Sequence, residues 1–202
     1  MTNKLLFFVL LALCFSGCDM LETHPYDVHI TGERELTNKN IQLIENKMQG
    51  KKTIRFAMIS DTQRWYNSTE DVVKALNARG DIDFVIHGGD QSDFGVTKEF
   101  IWMRDIFNKF QMPYVCLLGN HDCLGTGEDA YRAIYGDPNF AFTAGNVRFI
   151  CLNTNAMEYD YSEPVPDFNF IENELNNLSP EIEKNGIRNA RKNLLNLYST
   201  TM

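Results

Sequence analysis

Three short apolar runs recur along the chain, at positions 56–60, 84–89 and 114–118. Runs of this length, bounded by polar or glycine-containing segments, predict buried β-strands. The segments between them space their apolar residues three or four apart, which is the period of an amphipathic helix. Alternation of strands with helices predicts an α/β fold.

Two helices are predicted between these strands. The first has Ser68 and Asp71 at the spacing of a capping-box variant, and Gly80 is expected to end it. Thr97 is predicted to cap the second helix. One face of this helix carries large apolar side chains, which we interpret as core rather than as a binding site: Phe100, Met103, Phe107 and Phe110.

The remaining pattern is weaker. Positions 140–143 and 147–152 are apolar runs separated by a Gly-Asn turn, which predicts a β-hairpin. Asp167 is placed to cap a short helix that follows it. Positions 26–30 are interpreted as an edge strand.

Polar residues follow each of the three main strands directly. Asp61 ends the first run, Asp90 the second, and Gly119-Asn120-His121-Asp122 the third. In an open α/β sheet, ligands bind outside the carboxyl ends of the strands, so these side chains are expected at one rim. Carboxylate, amide and imidazole donors there suit hard divalent metals. The alternative is that Asp and Asn merely cap turns.

Together these segments resemble the calcineurin-like metallophosphoesterase family, from about residue 54 to about residue 178. The matching motifs are Asp61-Thr62-Gln63, Gly89-Asp90-Gln91-Ser92-Asp93 and Gly119-Asn120-His121-Asp122. The resemblance implies a four-layer α/β/β/α sandwich, incomplete here at the C-terminus. It also implies hydrolysis of a phosphate mono- or diester at a dinuclear metal site.

The resemblance implies a role for each matching residue. Asp90 would bridge both metals, Asp61 would bind the first and Asn120 the second. Gln63 would replace a metal-binding histidine. His121 would protonate or stabilise the leaving oxygen. Two further residues would support the site, Asp122 by orienting the His121 ring and Asp93 from outside the metal ligands. The metals, two in the family, could be Mn, Fe, Zn or Mg.

The chain departs from the family after His121, because no histidine follows it and the family has two more histidine motifs. Two functions therefore remain open. One is a metal-dependent phosphoesterase acting on a phosphate-ester substrate. The other is a catalytically inactive surface lipoprotein that binds at most one metal or a partner.

The N-terminus resembles a bacterial lipoprotein signal. Lys4 precedes a short apolar run, and Ser16-Gly17 precede Cys18. We expect cleavage before Cys18, lipidation of its thiol and a lipid anchor in the bacterial cell envelope, on the outer membrane or periplasmic face. An ordinary secretory peptide or a membrane anchor is the alternative.

Composition excludes some functions. The chain has 202 residues, 44% of them hydrophobic, which fits one globular domain. Its net charge of −8 makes a nucleic-acid partner unexpected. Cys116, Cys123 and Cys151 lack zinc-type or disulfide spacing, so buried free thiols are expected.

The domain organisation is expected to be as follows. Residues 1–17 are the signal, 18–50 a tether with the first elements, 51–184 a partial phosphoesterase domain and 185–202 a tail foreign to the fold. Codons for 184–192, read one base later with suitable wobble bases, permit an apolar strand ending in histidine. We therefore expect a shifted reading frame near Lys184. A naturally short protein is the alternative.

Overall fold

The computed structural model describes residues 24–155, 165–179 and 182. The signal segment, Cys18 and the tail expected at 185–202 lie outside them. The described elements are α1 (Leu36–Met48), β1 (Phe56–Ile59), α2 (Tyr66–Arg79), β2 (Phe84–His87), α3 (Thr97–Phe107), β3 (Tyr114–Cys116), α4 (Gly127–Tyr135), β4 (Phe140–Ala144), β5 (Val147–Cys151) and α5 (Phe168–Asn176). In these ranges, no helix combines the length and apolar character needed to cross a bilayer.

The three predicted main strands form one parallel sheet, in the order β1-β2-β3. Side chains alternate between its faces. One face, including Val85 and Cys116, packs against the helices together with Phe100 and Phe107 of α3. Burial of Phe100, Met103 and Phe107 confirms the core interpretation for these three residues. Phe110 lies beyond the end of α3 and is partly buried against the same core. Parallel strands end at the same edge, so this sheet delivers three loops to one rim.

The opposite face packs against the predicted hairpin, which is confirmed as the antiparallel pair β4-β5. Phe142 and Phe149 of the hairpin stack at 4.8 Å between ring centroids. Phe84 of β2 meets both rings edge-on, at 5.7 and 5.5 Å. This aromatic cluster joins the two sheets and gives the inner layers of the expected α/β/β/α fold.

The outer layer over the hairpin is thin. No residue of α5 is buried, and Arg148 of β5 holds this helix by donating to Glu174, from Nε at 3.0 Å. On the first sheet, Phe56 and Met58 of β1 are 42% and 55% exposed. The described part of the second sheet thus leaves part of β1 exposed.

The interpretation of residues 26–30 as an edge strand is wrong. The segment is a coil whose carbonyl oxygens bind side chains instead of a neighbouring strand. Thr97 Oγ1 donates to the carbonyl oxygen of Asp27 at 2.9 Å, and Thr126 Oγ1 donates to that of Tyr26. The segment therefore crosses the start of α3 and the loop before α4.

Two predicted helix starts are also wrong. Helix α2 begins at Tyr66, before Ser68, because the amide of Trp65 closes a turn onto the Thr62 carbonyl and the chain enters the helix from there. At α3, Thr97 is already helical, and the carboxylate of Glu99 accepts the preceding amides. The predicted end of α2 at Gly80 and the Asp167 cap of α5 are confirmed.

Candidate functional site

The loops after β1, β2 and β3 meet at Asp90. Its carbonyl oxygen accepts the amides of Thr62 and Gln63, each at 3.1 Å. Its carboxylate oxygen Oδ1 accepts the amide of His121 at 2.9 Å. Asp90 thus touches both neighbouring loops, and the polar residues at the three strand ends come together at one rim, as the sequence predicts.

Two glycines allow this close approach. A Cβ atom on Gly89 would lie 2.7 Å from the Cα of Gly119. A Cβ atom on Gly119 would lie 2.1 Å from Oδ1 of Asp90. Both distances are shorter than any real contact of a side chain, so the second and third loops can pack backbone to backbone only because both residues are glycine.

The carboxylates of Asp61 and Asp90 leave the strands from an unusual backbone conformation. Their φ angles are 56° and 61°, in the left-handed region that aspartate tolerates better than most residues. The amide of Asp61 donates to the Gly89 carbonyl at 3.1 Å, which ties the two turns together. Ser60 Oγ donates to the Asp61 carboxylate.

Gln63 offers an oxygen that suits a cation. Its Oε1 atom is buried and has no hydrogen-bond partner among the described residues. A buried acceptor without a donor is costly, and a metal ion would satisfy it. Asn120, the fourth expected ligand, is exposed at the same rim. The donor types therefore fit a hard divalent cation.

The donor set is nevertheless small. Within the described ranges, no group of three or more His, Cys, Asp and Glu side chains is arranged to hold a metal. Of the four expected ligands, Asp61 and Asp90 are carboxylates, while Gln63 and Asn120 are amides. The residues fit one ion better than two.

Asp122 does not orient the ring of His121, contrary to our expectation. Its carboxylate is fully buried and accepts four main-chain amides, at distances of 2.8 to 3.0 Å. The donors belong to Asp90, Gln91, Ser92 and Gly119. Burial raises the pKa of Asp122 to about 6, even though these hydrogen bonds lower it. Asp122 therefore fastens the second loop to the third.

Asp93 takes the place expected for Asp122. The Nδ1 atom of His121 lies 3.0 Å from the Asp93 carbonyl oxygen and 3.8 Å from its carboxylate. A carbonyl can only accept, so Nδ1 carries a proton and the other ring nitrogen, Nε2, is the one left for substrate. Glu99 supports this loop by accepting the Phe94 amide at 3.1 Å.

His87 is a residue whose importance the sequence did not reveal. It is buried at the end of β2, where Nδ1 accepts the Gly89 amide at 3.2 Å. Because Nδ1 is the acceptor, Nε2 carries the proton and donates to Thr62 Oγ1 at 2.9 Å. Burial lowers the pKa of His87 to about 3, so the ring is neutral. It links the loops bearing Asp61 and Asp90.

Asn155 and Arg64 were also missed. Asn155 Nδ2 donates to the Leu118 carbonyl at 2.9 Å, just before Gly119, and so connects the end of the hairpin to the third loop. Arg64 pairs with Asp93 at 3.2 Å. A polar residue shortly after a strand was the available signal for both. The free cysteines, Cys116, Cys123 and Cys151, are buried as expected.

The chain has detectable similarity to known proteins. A sequence profile of the calcineurin-like phosphoesterase family matches residues 54–196. Among solved structures, the chain is similar to purple acid phosphatase PPD1 from yellow lupin (Lupinus luteus) seeds, with 16% identity and a TM-score of 0.48. That match covers 65% of this chain, which spans 29% of the phosphatase. The comparison with curated proteins gives no match.

Proposed function

Because the chain belongs to the calcineurin-like phosphoesterase family, we propose that it hydrolyses a phosphate mono- or diester with divalent metal ions bound at the strand-end rim. Asp61, Gln63, Asp90 and Asn120 would hold these ions. The observation that carries the proposal is the contact of Asp90 with both neighbouring loops, one of which carries Gln63 with a buried side-chain oxygen that has no partner in the described chain.

A bound divalent ion would supply Lewis acidity towards phosphoryl oxygens and a water of lowered pKa. The protein contributes positioning. Asp61 and Asp90 supply negative charge for the cation, and the Asp122 carboxylate fixes the loop that carries Asp90. His121, held through Nδ1 by Asp93, presents Nε2 and, when protonated, can donate a proton to the leaving oxygen.

The amide ligand Gln63 bears on the choice of metal. An amide oxygen is a harder and weaker donor than an imidazole nitrogen. Among the family's metals, Mn and Mg are therefore favoured over Zn and Fe at this position. His121 is partly exposed, but its Nδ1 atom is engaged in the hydrogen bond to Asp93 and is therefore not available to bind a metal.

The location belongs to the same proposal. Cys18 would carry a lipid anchor and hold the enzyme in a bacterial cell envelope, on the outer membrane or periplasmic face. Its support is the sequence around Cys18 alone. The phosphate-ester substrate would then be one found outside the cytoplasm.

The deciding experiment is hydrolysis of p-nitrophenyl phosphate and bis(p-nitrophenyl) phosphate with added Mn²⁺. The Asp90→Asn variant should lose at least about 100-fold in rate, since it removes the negative charge of the carboxylate that would hold the metal between the loops. Asp129→Asn, on the exposed first turn of α4, is the matched control and should keep the parent rate.

A non-enzymatic role is favoured by the small donor set. Two carboxylates and two amides can hold one ion, and one ion alone is poorly suited to both activating water and stabilising the leaving oxygen. Mn²⁺ binding without turnover of either ester, in a folded protein, would support this second function and reject the first.

A further inference from the structure

We propose that Arg64 binds the non-bridging phosphoryl oxygens of the substrate at this site. The inference rests on the proposed function, which it extends to a residue outside the metal ligands. Arg64 lies directly after Gln63, and its side chain is 68% exposed.

The backbone of Arg64 is in a conformation that arginine rarely adopts. Its φ angle is 68°, in the left-handed region. Three of the four non-glycine residues with positive φ in the described chain are Asp61, Arg64 and Asp90. Such strain concentrates at binding and catalytic sites. It is unexplained by the turn alone, where glycine or asparagine would fit at lower cost.

The side chain of Arg64 is directed to the same place as the His121 ring. Its Nη2 atom lies 3.2 Å from Oδ1 of Asp93. The same carboxylate oxygen lies 3.8 Å from Nδ1 of His121. Asp93 itself is only 4% exposed, so the guanidinium lies on the solvent side of a buried carboxylate that also neighbours the ring.

Arg64 is the charged side chain of the rim that is suited to bind the phosphoryl oxygens. The three loops, 61–64, 89–93 and 119–122, contain four aspartates, and Arg64 is their one arginine, with no lysine among them. An incoming phosphate ester carries one or two negative charges and would be repelled by carboxylates that a metal does not neutralise. A guanidinium offers donors in a planar fork that matches phosphoryl oxygens, and the described residues engage it at Nη2 alone.

The contrary possibility is that Arg64 only neutralises Asp93. That role would make Arg64 matter for stability and for the His121 ring but not for anion affinity. The two roles differ in how phosphate binding responds when Arg64 is replaced, so binding can separate them without any turnover.

The experiment measures binding of inorganic phosphate to the Mn²⁺-loaded protein by calorimetry, together with Mn²⁺ affinity and melting temperature. Arg64→Gln should raise the phosphate Kd by ~10-fold or more, as expected for loss of a charged hydrogen bond. Arg64→Lys keeps the charge but loses the planar fork of donors, so its phosphate Kd should lie between those of the parent and Arg64→Gln. Arg55→Gln is the matched control, because Arg55 is an exposed arginine paired with Asp81 away from the rim.

The proposal is supported if Arg64→Gln weakens phosphate binding without changing Mn²⁺ affinity, while Arg55→Gln leaves phosphate binding unchanged. Phosphate affinity within twofold of the parent in Arg64→Gln would overturn it, and so would a parent protein that binds no phosphate. Phosphate binding that depends on Arg64 in a protein that hydrolyses no ester would support Arg64 and reject the proposed hydrolysis. The two failures are therefore distinguishable.

Discussion

The side chain of Asp122 holds the main chain of Asp90, since its Oδ2 atom accepts the Asp90 amide at 2.9 Å. The same oxygen accepts the amide of Gly119 at 3.0 Å. A single carboxylate thus joins the loop of the expected bridging ligand to the loop of Asn120. An ionised carboxylate, with two acceptor oxygens and no proton, is suited to a ring of amide donors in a way that no amide side chain is.

Asp122→Asn should therefore destabilise the fold. One oxygen becomes an NH₂ group that faces amide donors, and at least one buried amide loses its partner. We expect the free energy of unfolding in urea to fall by about 3 kcal/mol. Asp129→Asn, on the surface of α4, should leave it nearly unchanged. Equal urea midpoints for Asp122→Asn and the parent would show that the ring of hydrogen bonds contributes little.

His87 should make stability sensitive to acid. Its pKa falls from 6.5 to about 3 on burial, so the unfolded chain binds the proton more tightly between these values. Stability contributed by the neutral ring is present above pH 6.5 and is lost as pH falls, by up to about 1.4 kcal/mol per pH unit. Urea unfolding from pH 7 to pH 4.5 measures this slope.

The control for that slope is His87→Gln, which cannot take up a proton. Asp122 acts in the opposite direction. Its pKa is raised from 3.8 to about 6, so the stability that its protonated form contributes is lost as pH rises. The parent's total slope mixes both residues. The difference in slope between the parent and His87→Gln isolates the histidine, and a difference of zero would mean that His87 does not titrate on unfolding.

Metal titration should reveal at most one tight divalent ion per chain. We expect Asp61, Gln63 and Asp90 to serve the first position, whereas only Asp90 and Asn120 among the expected ligands would serve the second. Calorimetry with Mn²⁺ counts the ions, and two equally tight ions would contradict the expectation. Gln63→His should tighten binding and shift preference towards Zn²⁺, because imidazole is the better nitrogen donor for that ion.

Lipidation at Cys18 predicts that Cys18→Ala releases the protein from membranes or blocks its maturation. Each acyl methylene that enters the bilayer contributes about 0.8 kcal/mol to attachment. Fractionation of cells expressing the parent and the variant measures this directly. Identical distribution of the two forms between membrane and soluble fractions would rule out the lipid anchor.

Deletion of residues 185–202 tests the expected foreign tail. A tail read in the wrong frame has no reason to match the core, so its removal should change the melting temperature little. Restoring the shifted frame should raise the melting temperature. A large loss of stability on deletion would instead favour a naturally short protein.

The main strands and the meeting of their ends could be predicted from the sequence, because both depend on local pattern and on the geometry of parallel sheets. The three apolar runs are β1, β2 and β3, and Asp61, Asp90 and His121 are brought to one rim. The family resemblance supplied the order of layers, which apolar periodicity alone does not specify.

The role of Asp122 could not be predicted, because it depends on which side of a short 3₁₀ turn faces the buried amides. Asp122 lies beside His121 in the sequence, yet the turn His121–Cys123 directs the two side chains to different neighbours. His87 lies within the apolar run 84–89, and nothing local in the sequence indicates that its ring spans two loops. Residues 26–30 have strand-like composition, but in the described part of the chain they lie against Thr97 and Thr126 rather than beside a strand.

The coil at Tyr26 and Asp27 has a consequence for reach. Thr126 and Thr97 fasten it beside the loops of the rim, and His24 lies six positions after Cys18. Fully extended, that length of chain spans at most about 20 Å. A lipid on Cys18 would therefore keep the strand-end rim close to the bilayer surface. Esters embedded in or adsorbed to the membrane would then meet the rim at a far higher local concentration than freely diffusing ones.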